Sequence, residues 1–307
     1  MLANRSRKRF QHFRKRYARE QIDCFRIYDW DIPEIRAVVD WYAGHLVVGE
    51  YTRKQSDPQW LPQMGKAVGE ALGVDSENVH LKRRRTGKMD GKRYERIDHT
   101  DRKIVVAERD LKFYVNPYDF LDTGLFSDHR NTRLVVRDLA AGKDFLNLFC
   151  YTASFTCYAA KGGARSTVSV DRSETVVNWA RENMALNGIP NAGNAVVQLH
   201  VDDFLEILRR RGQRFDLAVV DPPSFSSTRS RAQDFDVKRE HPRLLKAVAE
   251  VMRRGGTIFF STNHQDFNLQ SEVLRALQAE EITSTTIPED YVRKRSPVHR
   301  CWKLVVR

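Results

Sequence analysis

Residues 144–171 read DFLNLFCYTASFTCYAAKGGARSTVSVD, with a short apolar run on either side of a helix-forming stretch. Short apolar runs of this kind are typical of buried strands, and a helix between two of them is the usual connection of a parallel pair. The pattern predicts strands at 144–149 and 166–171 with a helix near 153–161. This unit decides the fold, because the same alternation continues to the end of the chain.

Five more apolar runs follow towards the C-terminus. They predict strands at 195–201, 215–221, 256–261, 282–287 and 301–307. The remaining stretches predict helices near 173–187, 203–211, 237–253 and 268–279. Strand-helix units followed by two strands without an intervening helix indicate an α/β fold, a doubly wound and mostly parallel sheet closed by an antiparallel C-terminal hairpin. A dinucleotide-binding Rossmann half would continue its alternation instead.

The first 120 residues have a different pattern, with many cations and short strand-like segments. Phe10, Phe13 and Tyr17 stand at helical spacing, which predicts an N-terminal helix with one aromatic face. Strand-like runs, a second helix and further strand-like runs follow. This order predicts a smaller N-terminal α+β domain at 1–120, ahead of the α/β domain at 121–307.

The net charge of +12, from 52 Lys and Arg against 40 Asp and Glu, is concentrated in two stretches. Residues 5–20 hold eight cations and one acid, and residues 82–96 hold eight cations and two acids. The rest of the chain is close to neutral, so the charge indicates a basic module for a polyanion such as RNA. The residues predicted to contact RNA are Arg7, Lys8, Arg9, Lys82, Arg83, Arg84 and Arg85. For residues 5–20, a solvated basic helix docked by its aromatic face remains an alternative.

Other features exclude several protein classes. No apolar run approaches the roughly 18 residues that a membrane-spanning helix needs, and the N-terminal residues carry charges where a signal peptide has its apolar region. The four Cys residues include no CxxC pair, which argues against a disulfide framework and against a zinc site. We therefore expect a cytoplasmic protein with reduced thiols, no membrane association and no metal.

Three of the predicted strands lead into acidic residues, and ligands of such a sheet bind at the carboxyl ends of its strands. Asp171 ends the second strand, Asp202 and Asp203 follow the third, and Asp221 ends the fourth. Helix N-capping is an alternative for Asp202 or Asp203 taken alone. The loop after the first strand lacks the GxGxxG pattern of pyrophosphate sites. A ligand with ribose and adenine but no phosphate, such as S-adenosylmethionine, therefore fits better than a dinucleotide.

The most specific motif is Asp221-Pro222-Pro223-Ser224-Phe225. Prolines have no backbone N–H to donate, so the pair predicts a rigid turn whose carbonyl groups point outward. Those carbonyl groups and the Asp221 carboxylate can accept hydrogen bonds from a planar base, and Phe225 can stack on it. A plain proline turn with a core phenylalanine is the alternative.

These motifs resemble those of the class I S-adenosylmethionine-dependent 23S rRNA methyltransferases. The resemblance is carried by FLDTGLFSDHR (120–130), GKDFLNLFCYTASFT (142–156), GGARSTVSVDRS (162–173), WARENMALNG (179–188), FDLAVVDPPSFS (215–226), FDVKREH (235–241), GGTIFFSTN (255–263) and HRCW (299–302). It covers nearly the whole chain and is nearest to the C-terminal, guanine-N7 half of the bifunctional large-subunit enzymes. Two departures stand out: Ala153 occupies a position where relatives usually have glycine, and the guanine-N2 half has no counterpart.

The resemblance implies a role for each matching position. Asp171 would hold the ribose hydroxyls, Asp203 would accept the adenine amine beside Phe204, and Asp128 and Arg130 would bind the ammonium and carboxylate of the methionine group. An Asp128–Arg130 ion pair with a structural role is the alternative. The other implied cofactor contacts are Phe149, Tyr151, Thr152, Ala153, Ser154 and Arg172. The implied contacts to the target base are Asp221, Pro222, Pro223 and Phe225.

The implied activity is methyl transfer from S-adenosylmethionine to N7 of a guanine in 23S rRNA, with S-adenosylhomocysteine as product. N7 has a free lone pair, so we expect alignment to suffice without a general base or a covalent intermediate. Cytosine-C5 transfer needs a cysteine nucleophile, and no cysteine follows the fourth or fifth predicted strand. Guanine-N2 transfer, glutamine methylation of a protein and a catalytically silent rRNA-binding assembly factor remain alternatives. The implied partners are 23S rRNA or a large-subunit assembly intermediate, and a guanine-N2 methylase module on a separate chain.

Overall fold

The computed structural model describes residues 1–53, 55–85, 96–226, 235–264, 266–293 and 296–307; of Arg85, Phe225 and Ser226 only the backbone is described. The chain divides into two compact units. The first comprises Met1–Ser127 and Glu289–Arg295, and the second comprises Asp128–Pro288 and Ser296–Arg307. The domain boundary proposed after residue 120 lies seven residues before this division, and the sequence gives no sign that a C-terminal segment joins the first unit.

The first unit begins with helix α1 (Leu2–Arg19), which buries one face. Phe10, Phe13 and Tyr17 are buried there, as the aromatic spacing predicts. The Phe10 ring lies 4.6 Å from Trp41 between centroids, and the Phe13 ring is stacked 5.4 Å from Tyr17. The aromatic face therefore docks the helix and leaves its cations, apart from the half-buried Arg9, exposed.

A four-stranded sheet of order β1-β2-β3-β4 packs with this helix in the first unit. Its strands are β1 (Cys24–Asp29), β2 (Ala37–Tyr42), β3 (His45–Thr52) and β4 (Val79–Arg85). The pairs β1–β2 and β2–β3 are antiparallel, whereas β3 and β4 are parallel and are connected through helix α2 (Trp60–Leu72). A separate antiparallel pair, β5 (Ile104–Glu108) and β6 (Leu111–Val115), completes the unit.

The C-terminal segment of the first unit is held by buried polar contacts. Asp290 is fully buried; it accepts a 2.7 Å hydrogen bond from the Tyr17 hydroxyl and a 2.9 Å bond from the Arg26 backbone N–H. The Arg26 guanidinium also pairs with Asp29 and Asp40. Because a buried carboxylate without partners is costly, these bonds fix the segment to α1 and β1.

The second unit has helices and strands in the alternation that the sequence predicts. Its helices are α3 (Arg130–Leu139), α4 (Ser154–Lys161), α5 (Glu174–Leu186), α6 (Val201–Arg210), α7 (Val237–Glu250), α8 (Ser271–Ala276) and α9 (Thr283–Thr286). Its strands are β7 (Asp144–Leu148), β8 (Ser166–Asp171), β9 (Asn194–Gln198), β10 (Phe215–Val220), β11 (Phe225–Ser226), β12 (Phe235–Asp236), β13 (Met252–Thr262), β14 (Leu277–Glu281) and β15 (Arg300–Val306).

Seven of these strands form one sheet of order β14-β15-β13-β10-β7-β8-β9. All neighbours pair in parallel except β15, which is antiparallel to both β13 and β14. The prediction of a doubly wound, mostly parallel sheet with an antiparallel C-terminal pair is confirmed. The order reverses at β7, between β8 and β10, so the ends of these three strands form the expected ligand edge.

Apolar residues cover both faces of this sheet. In β10, Ala218 and Val220 belong to one buried cluster, whereas Leu217 and Val219 belong to the other. Side chains of a strand alternate between faces, so a strand that is covered on both sides reads as a continuous apolar run. This explains why the central strands are visible in the sequence.

The main differences from the sequence prediction concern three elements. The strand predicted at 282–287 is wrong: β14 lies at Leu277–Glu281, and Thr283–Thr286 form a helical turn. The Thr285 and Thr286 hydroxyls bond the carbonyls of Ile282 and Thr283, and such local bonds compete with strand pairing. The predicted helix at 268–279 is shorter in the structure. It ends at Ala276 of α8, because Leu277 and the residues after it pair with β15. Helix α3 was not predicted.

No helix within the described ranges combines the length and apolar character needed to cross a membrane.

Candidate active site

The described ends of β8, β10 and β13 carry polar side chains at one edge of the sheet. Asp171 is the last residue of β8, Asp221 directly follows β10, and Ser261 is the second-last residue of β13. The strands β8, β7, β10 and β13 are consecutive neighbours and run in parallel, so these side chains share an edge. The structure thus brings Asp171 and Asp221 to the place that the strand pattern predicts.

The loop after β7 has an unusual backbone. Phe149, Tyr151 and Ala153 have positive φ angles of 57°, 49° and 61°, a region that non-glycine residues rarely adopt. Hydrogen bonds hold the loop in this form: the Cys150 N–H donates to the Val170 carbonyl, and the Ala153 N–H donates to the Cys150 carbonyl. The left-handed conformation of Ala153 explains why glycine suits this position.

Side chains beneath the loop reinforce its shape. The Asn183 amide of α5 donates a 3.0 Å hydrogen bond to the Thr152 carbonyl. A buried polar chain runs from the Asn147 amide to the Thr156 hydroxyl at 2.9 Å and on to the Ser169 hydroxyl at 2.7 Å. Together they tie β7, α4, β8 and α5 to the loop, so its backbone is fixed before any ligand binds.

The Asp171 carboxylate is 7% exposed and faces this loop. It accepts backbone hydrogen bonds from Tyr151 at 3.2 Å and from Ser173 at 3.0 Å. Burial raises the pKa of the Asp171 carboxyl, and the two N–H donors partly offset that effect. A carboxylate can accept about four hydrogen bonds, so Asp171 retains acceptor capacity for a diol. Arg172, the next residue, is exposed.

Asp202 and Asp203 lie in the first turn of α6 and have different environments. Asp202 forms two 3.0 Å hydrogen bonds with the Arg243 guanidinium. Asp203 is exposed and has no hydrogen bond or ion pair to the described residues. The helix is capped by His200, so the N-cap alternative for the two acids is wrong. Phe204 is 8% exposed and packs in the core cluster beneath the sheet edge.

The Asp221-Pro222-Pro223 turn is tied to the end of β13. The Ser261 hydroxyl donates a 2.7 Å hydrogen bond to Asp221 Oδ1, and the Ser224 hydroxyl bonds the Asn263 side chain. Pro222 is buried and Pro223 is half-buried, while the Asp221 side chain is 28% exposed. The turn therefore presents one partly accessible carboxylate. The Phe225 side chain, predicted to stack on the base, lies outside the described part of the chain.

Two histidines that the sequence analysis missed lie beside these acids. His299 Nδ1 is 3.0 Å from Asp128 Oδ2, and His129 Nε2 is 3.8 Å from Asp221 Oδ2. Both are at most 5% exposed. Burial, followed by the influence of His299, lowers the pKa of His129 to about 4. His129 lies in the motif SDHR and His299 in the motif HRCW. Both motifs carry the family resemblance, and this was the one feature of the sequence that pointed to the two histidines. Arg130 begins α3 and is 1% exposed.

Asp128, His129 and His299 bring potential metal-ligand atoms within 4.8 Å of one another. The two rings are stacked with centroids 3.9 Å apart and an interplanar angle of 13°. Imidazole binds a metal through a ring nitrogen, roughly in the plane of the ring. Nearly parallel, separated planes do not share such a position, so the cluster is suited to hydrogen bonding rather than to holding a metal.

All four cysteines are buried, and none of them forms a disulfide. Burial raises the pKa of the Cys150 thiol well above its usual value and that of Cys157 to about 12. Burial and the nearby Asp221 charge also raise the pKa of Cys301. Since the thiolate is the nucleophilic form, none of these three groups is prepared for covalent attack.

The basic residues of the first unit have unequal access to solvent. Arg7 and Lys8 are exposed on α1, while Arg9 donates a 3.0 Å hydrogen bond to the Asp290 carbonyl. Lys82 is 2% exposed, and its Nζ donates a 3.0 Å bond to the Tyr118 carbonyl. Burial lowers the pKa of Lys82 to about 8. A buried ammonium cannot reach a phosphate, so Lys82 is removed from the predicted RNA contacts.

The cations that follow Lys82 are also partly engaged within the protein. Arg84 pairs with Asp122 at 2.9 Å and donates a 3.0 Å hydrogen bond to the Leu121 carbonyl. Arg83 is exposed but donates to the Pro58 carbonyl. The Arg85 side chain lies outside the described residues. Exposed α1 cations are therefore better placed for RNA contact than the β4 cations.

The sequence matches a family of known activity. Residues 30–291 match the family model described as S-adenosylmethionine-dependent methyltransferase. The chain is 41% identical over 307 residues to the ribosomal RNA large subunit methyltransferase K/L of Vibrio cholerae, covering 98% of this chain and 43% of that protein. It is 39% identical to the ribosomal RNA large subunit methyltransferase K of Neisseria meningitidis serogroup B, covering 98% of this chain and 86% of that protein. The chain thus spans less than half the length of the K/L relative.

Solved structures share the fold. A methyltransferase crystallised in complex with SAH has a TM-score of 0.77 at 22% identity and covers 99% of this chain and 82% of that one. A protein from Streptococcus mutans described as a SAM-dependent methyltransferase has a TM-score of 0.75 at 21% identity, with 99% and 81% coverage. At these identities the similarity shows a common architecture.

Proposed function

Because this chain belongs to the S-adenosylmethionine-dependent methyltransferase family, we propose that it methylates N7 of a guanine in 23S rRNA of the large ribosomal subunit. The observation that carries the proposal is the Asp221-Pro222-Pro223 turn, whose carboxylate is fixed by Ser261 at the sheet edge that also holds Asp171. The names of the rRNA methyltransferase relatives support rRNA as the substrate class.

The residues at the edge fit the methyl donor by their chemistry. Asp171 has spare acceptor capacity for two ribose hydroxyls, and Arg172 lies beside it. Asp203 has no partner among the described residues and can accept the adenine amine beside Phe204, whereas Asp202 is occupied by Arg243. We assign binding of the methionine group of the donor to Asp128, to Arg130 and to the loop after β7. The loop residues are Phe149, Tyr151, Thr152, Ala153 and Ser154.

In the proposed reaction Asp221 and the proline turn orient the guanine, and the Phe225 ring stacks on it. The sulfonium supplies an activated methyl group: its S–CH3 bond breaks as the N7 lone pair forms the new N–CH3 bond, and S-adenosylhomocysteine leaves. Positive charge moves to the purine, where the Asp221 carboxylate offsets it. No proton is removed, so alignment by the turn is the main contribution of the protein.

The alternatives make different demands on the site. Cytosine-C5 transfer requires a reactive cysteine, and the raised pKa values of the buried Cys150, Cys157 and Cys301 thiols disfavour it. Guanine-N2 transfer remains compatible with Asp221, which would then also help to remove a proton. The exposed cations of α1 disfavour glutamine methylation of a protein. The intact set of strand-end acids disfavours a catalytically silent assembly factor.

We further propose that the enzyme acts in the cytoplasm on 23S rRNA or on an assembling large subunit, with the N-terminal domain at 1–120 serving as an RNA-binding domain. We also propose a guanine-N2 methylase module on a separate chain as a partner. Copurification of such a module with the full chain tests this part of the proposal.

Product mapping tests the activity. The enzyme is incubated with unmodified 23S rRNA and S-adenosylmethionine, and the methylated nucleotide is located by mass spectrometry. An N7 product is also cleaved after mild reduction and aniline treatment, whereas C5 and N2 products are not. Asp221→Ala should bind S-adenosylmethionine normally by calorimetry and retain only a residual rate of methyl transfer. A fully active variant, or an uncleaved product, contradicts the assignment.

A further inference from the structure

Two buried histidine rings in the second unit connect the acids assigned to the two substrates. The rings of His129 and His299 are stacked, with centroids 3.9 Å apart. His299 contacts Asp128, which is assigned to the methyl donor, and His129 faces Asp221, which is assigned to the target base. Neither ring is needed as a base in the reaction described above, so another role must account for their burial beside it.

The hydrogen bonds of His299 define its protons. The Thr286 hydroxyl donates to the Thr283 carbonyl at 3.0 Å, so it acts as an acceptor towards His299 Nε2, 3.1 Å away. An ionised Asp128 carboxylate only accepts, and it lies 3.0 Å from Nδ1. An ionised Asp128 therefore favours the tautomer of His299 in which Nδ1 carries a proton and donates it to the carboxylate.

His129 is uncharged near neutral pH. The loss of solvent, followed by the influence of the neighbouring His299, opposes protonation and lowers its pKa to about 4. Its Nδ1 lies 3.4 Å from the Thr132 hydroxyl, whereas its Nε2 faces two carboxylates, 3.8 Å from Asp221 and 3.9 Å from Asp128. Carboxylates favour the tautomer with the proton on Nε2, which directs an N–H towards Asp221.

We propose that His129 and His299 are positioning residues: His129 orients Asp221 for the target base, and His299 orients Asp128 for the methyl donor. Ser261 holds Oδ1 of Asp221 and the His129 N–H faces Oδ2, so both oxygens are constrained. The 3.8 Å separation is longer than a hydrogen bond, and contacts of this kind often shorten when substrate closes the site. The stacked rings place the two acids in one rigid assembly. This inference rests on the proposed function for the roles of the two acids.

Asparagine and glutamine variants separate positioning from packing. The asparagine amide lies near the Nδ1 position of a histidine, and the glutamine amide lies near the Nε2 position. Gln therefore preserves the important N–H at 129, where Nε2 faces Asp221. Asn preserves it at 299, where Nδ1 faces Asp128. Gln is thus the conservative substitution at 129 and Asn is the conservative substitution at 299. At each position the other substitution removes the N–H, so the two variants serve as matched controls.

At position 129 the expected effect is on turnover. His129→Asn should lower kcat by about tenfold or more, the typical loss for an interaction with a charged group, while the KM for S-adenosylmethionine stays within about twofold. His129→Gln should restore most of the lost kcat. Equal losses in the two variants, or a change confined to thermal stability, would show that the ring is only packing.

At position 299 the expected effect is on binding of the methyl donor. In calorimetric titrations of the full chain with S-adenosylmethionine, His299→Gln should weaken binding by about tenfold, and His299→Asn should bind nearly as well as the wild type. Equal affinities overturn the assignment of His299. This measurement needs no RNA: a wild type that binds the donor but does not methylate 23S rRNA contradicts the proposed function, while the comparison at 299 still decides the inference.

Discussion

The Ser261 hydroxyl donates a 2.7 Å hydrogen bond to Asp221 Oδ1 and so joins the end of β13 to the residue that follows β10. If Ser261 acts by orienting Asp221, Ser261→Ala should lower kcat by about 10- to 100-fold, the usual range for a hydrogen bond to a charged group. Steady-state kinetics should show an unchanged KM for S-adenosylmethionine. The double variant with Asp221→Ala should be no worse than Asp221→Ala alone, and additive losses would refute the coupling.

The two adjacent acids at the start of α6 should contribute unequally to cofactor binding. Asp203→Ala should weaken S-adenosylmethionine binding by about tenfold, because it removes the acceptor proposed for the adenine amine. Asp202→Ala is the matched control: it breaks an exposed ion pair with Arg243, a contact worth at most about 1 kcal/mol of stability. Calorimetry on both variants compares them directly. A larger effect at Asp202 would reverse the assignment.

Exposed cations of α1 should contribute to RNA affinity, and the buried lysine of β4 should not. The double variant Arg7→Ala with Lys8→Ala should weaken binding of an rRNA fragment and reduce the slope of log K against log salt by roughly 1 to 2. Lys82→Met should leave both the affinity and the slope unchanged. Filter binding at several salt concentrations measures them. A slope change at Lys82 would mean that its ammonium becomes accessible in the complex.

The buried His129 should make folding pH-dependent in a defined window. Its pKa is about 4 in the folded protein, below the ordinary value near 6.5. As pH falls from about 6.5 to 4, the unfolded chain takes up a proton that the folded protein does not, so stability decreases by about 3 kcal/mol. Above pH 6.5 neither the folded nor the unfolded chain binds this proton, so His129 no longer makes the stability depend on pH. Urea unfolding of wild type and His129→Gln should show a smaller acid-side loss in the variant, and identical pH profiles would contradict the prediction.

The left-handed Ala153 should tolerate glycine but not a branched side chain. Glycine adopts a φ of 61° without strain, and this gain roughly balances the loss of a buried methyl group. Ala153→Gly should therefore change stability by less than about 1 kcal/mol. Ala153→Val should cost about 2 kcal/mol or more and weaken donor binding, since the residue is fully buried in a left-handed backbone. Thermal unfolding and calorimetry test both variants.

The central strands and the strand-end acids could be predicted because both depend on local sequence. Leu217 to Val220 are covered on both sides of the sheet, and that coverage leaves a continuous apolar run. The edge strand β14, with sequence LQAEE, has no such run, and its pairing with β15 decides its conformation. The threonine-rich stretch after it has high strand propensity, but its hydroxyls satisfy the local backbone instead.

The side-chain network of the site could be predicted only in part. Asp171 and Asp221 follow strands directly, so their place on the edge follows from the topology. Ser261, His129 and His299 acquire their roles from partners at distant positions, which spacing along the chain does not show. The burial of Lys82 is another tertiary effect: a cluster of cations in sequence does not tell which member points inward.

The segment around Asp290 affects the order in which the protein can fold. Tyr17 and Arg26 form their buried bonds with a residue more than 260 positions later. During synthesis residues 1–127 are made well before the carboxylate that satisfies these groups. The first unit therefore cannot reach its final packing on the ribosome until its second segment, Glu289–Arg295, has been translated. Completion of an early part of the chain thus waits for a segment that is made much later.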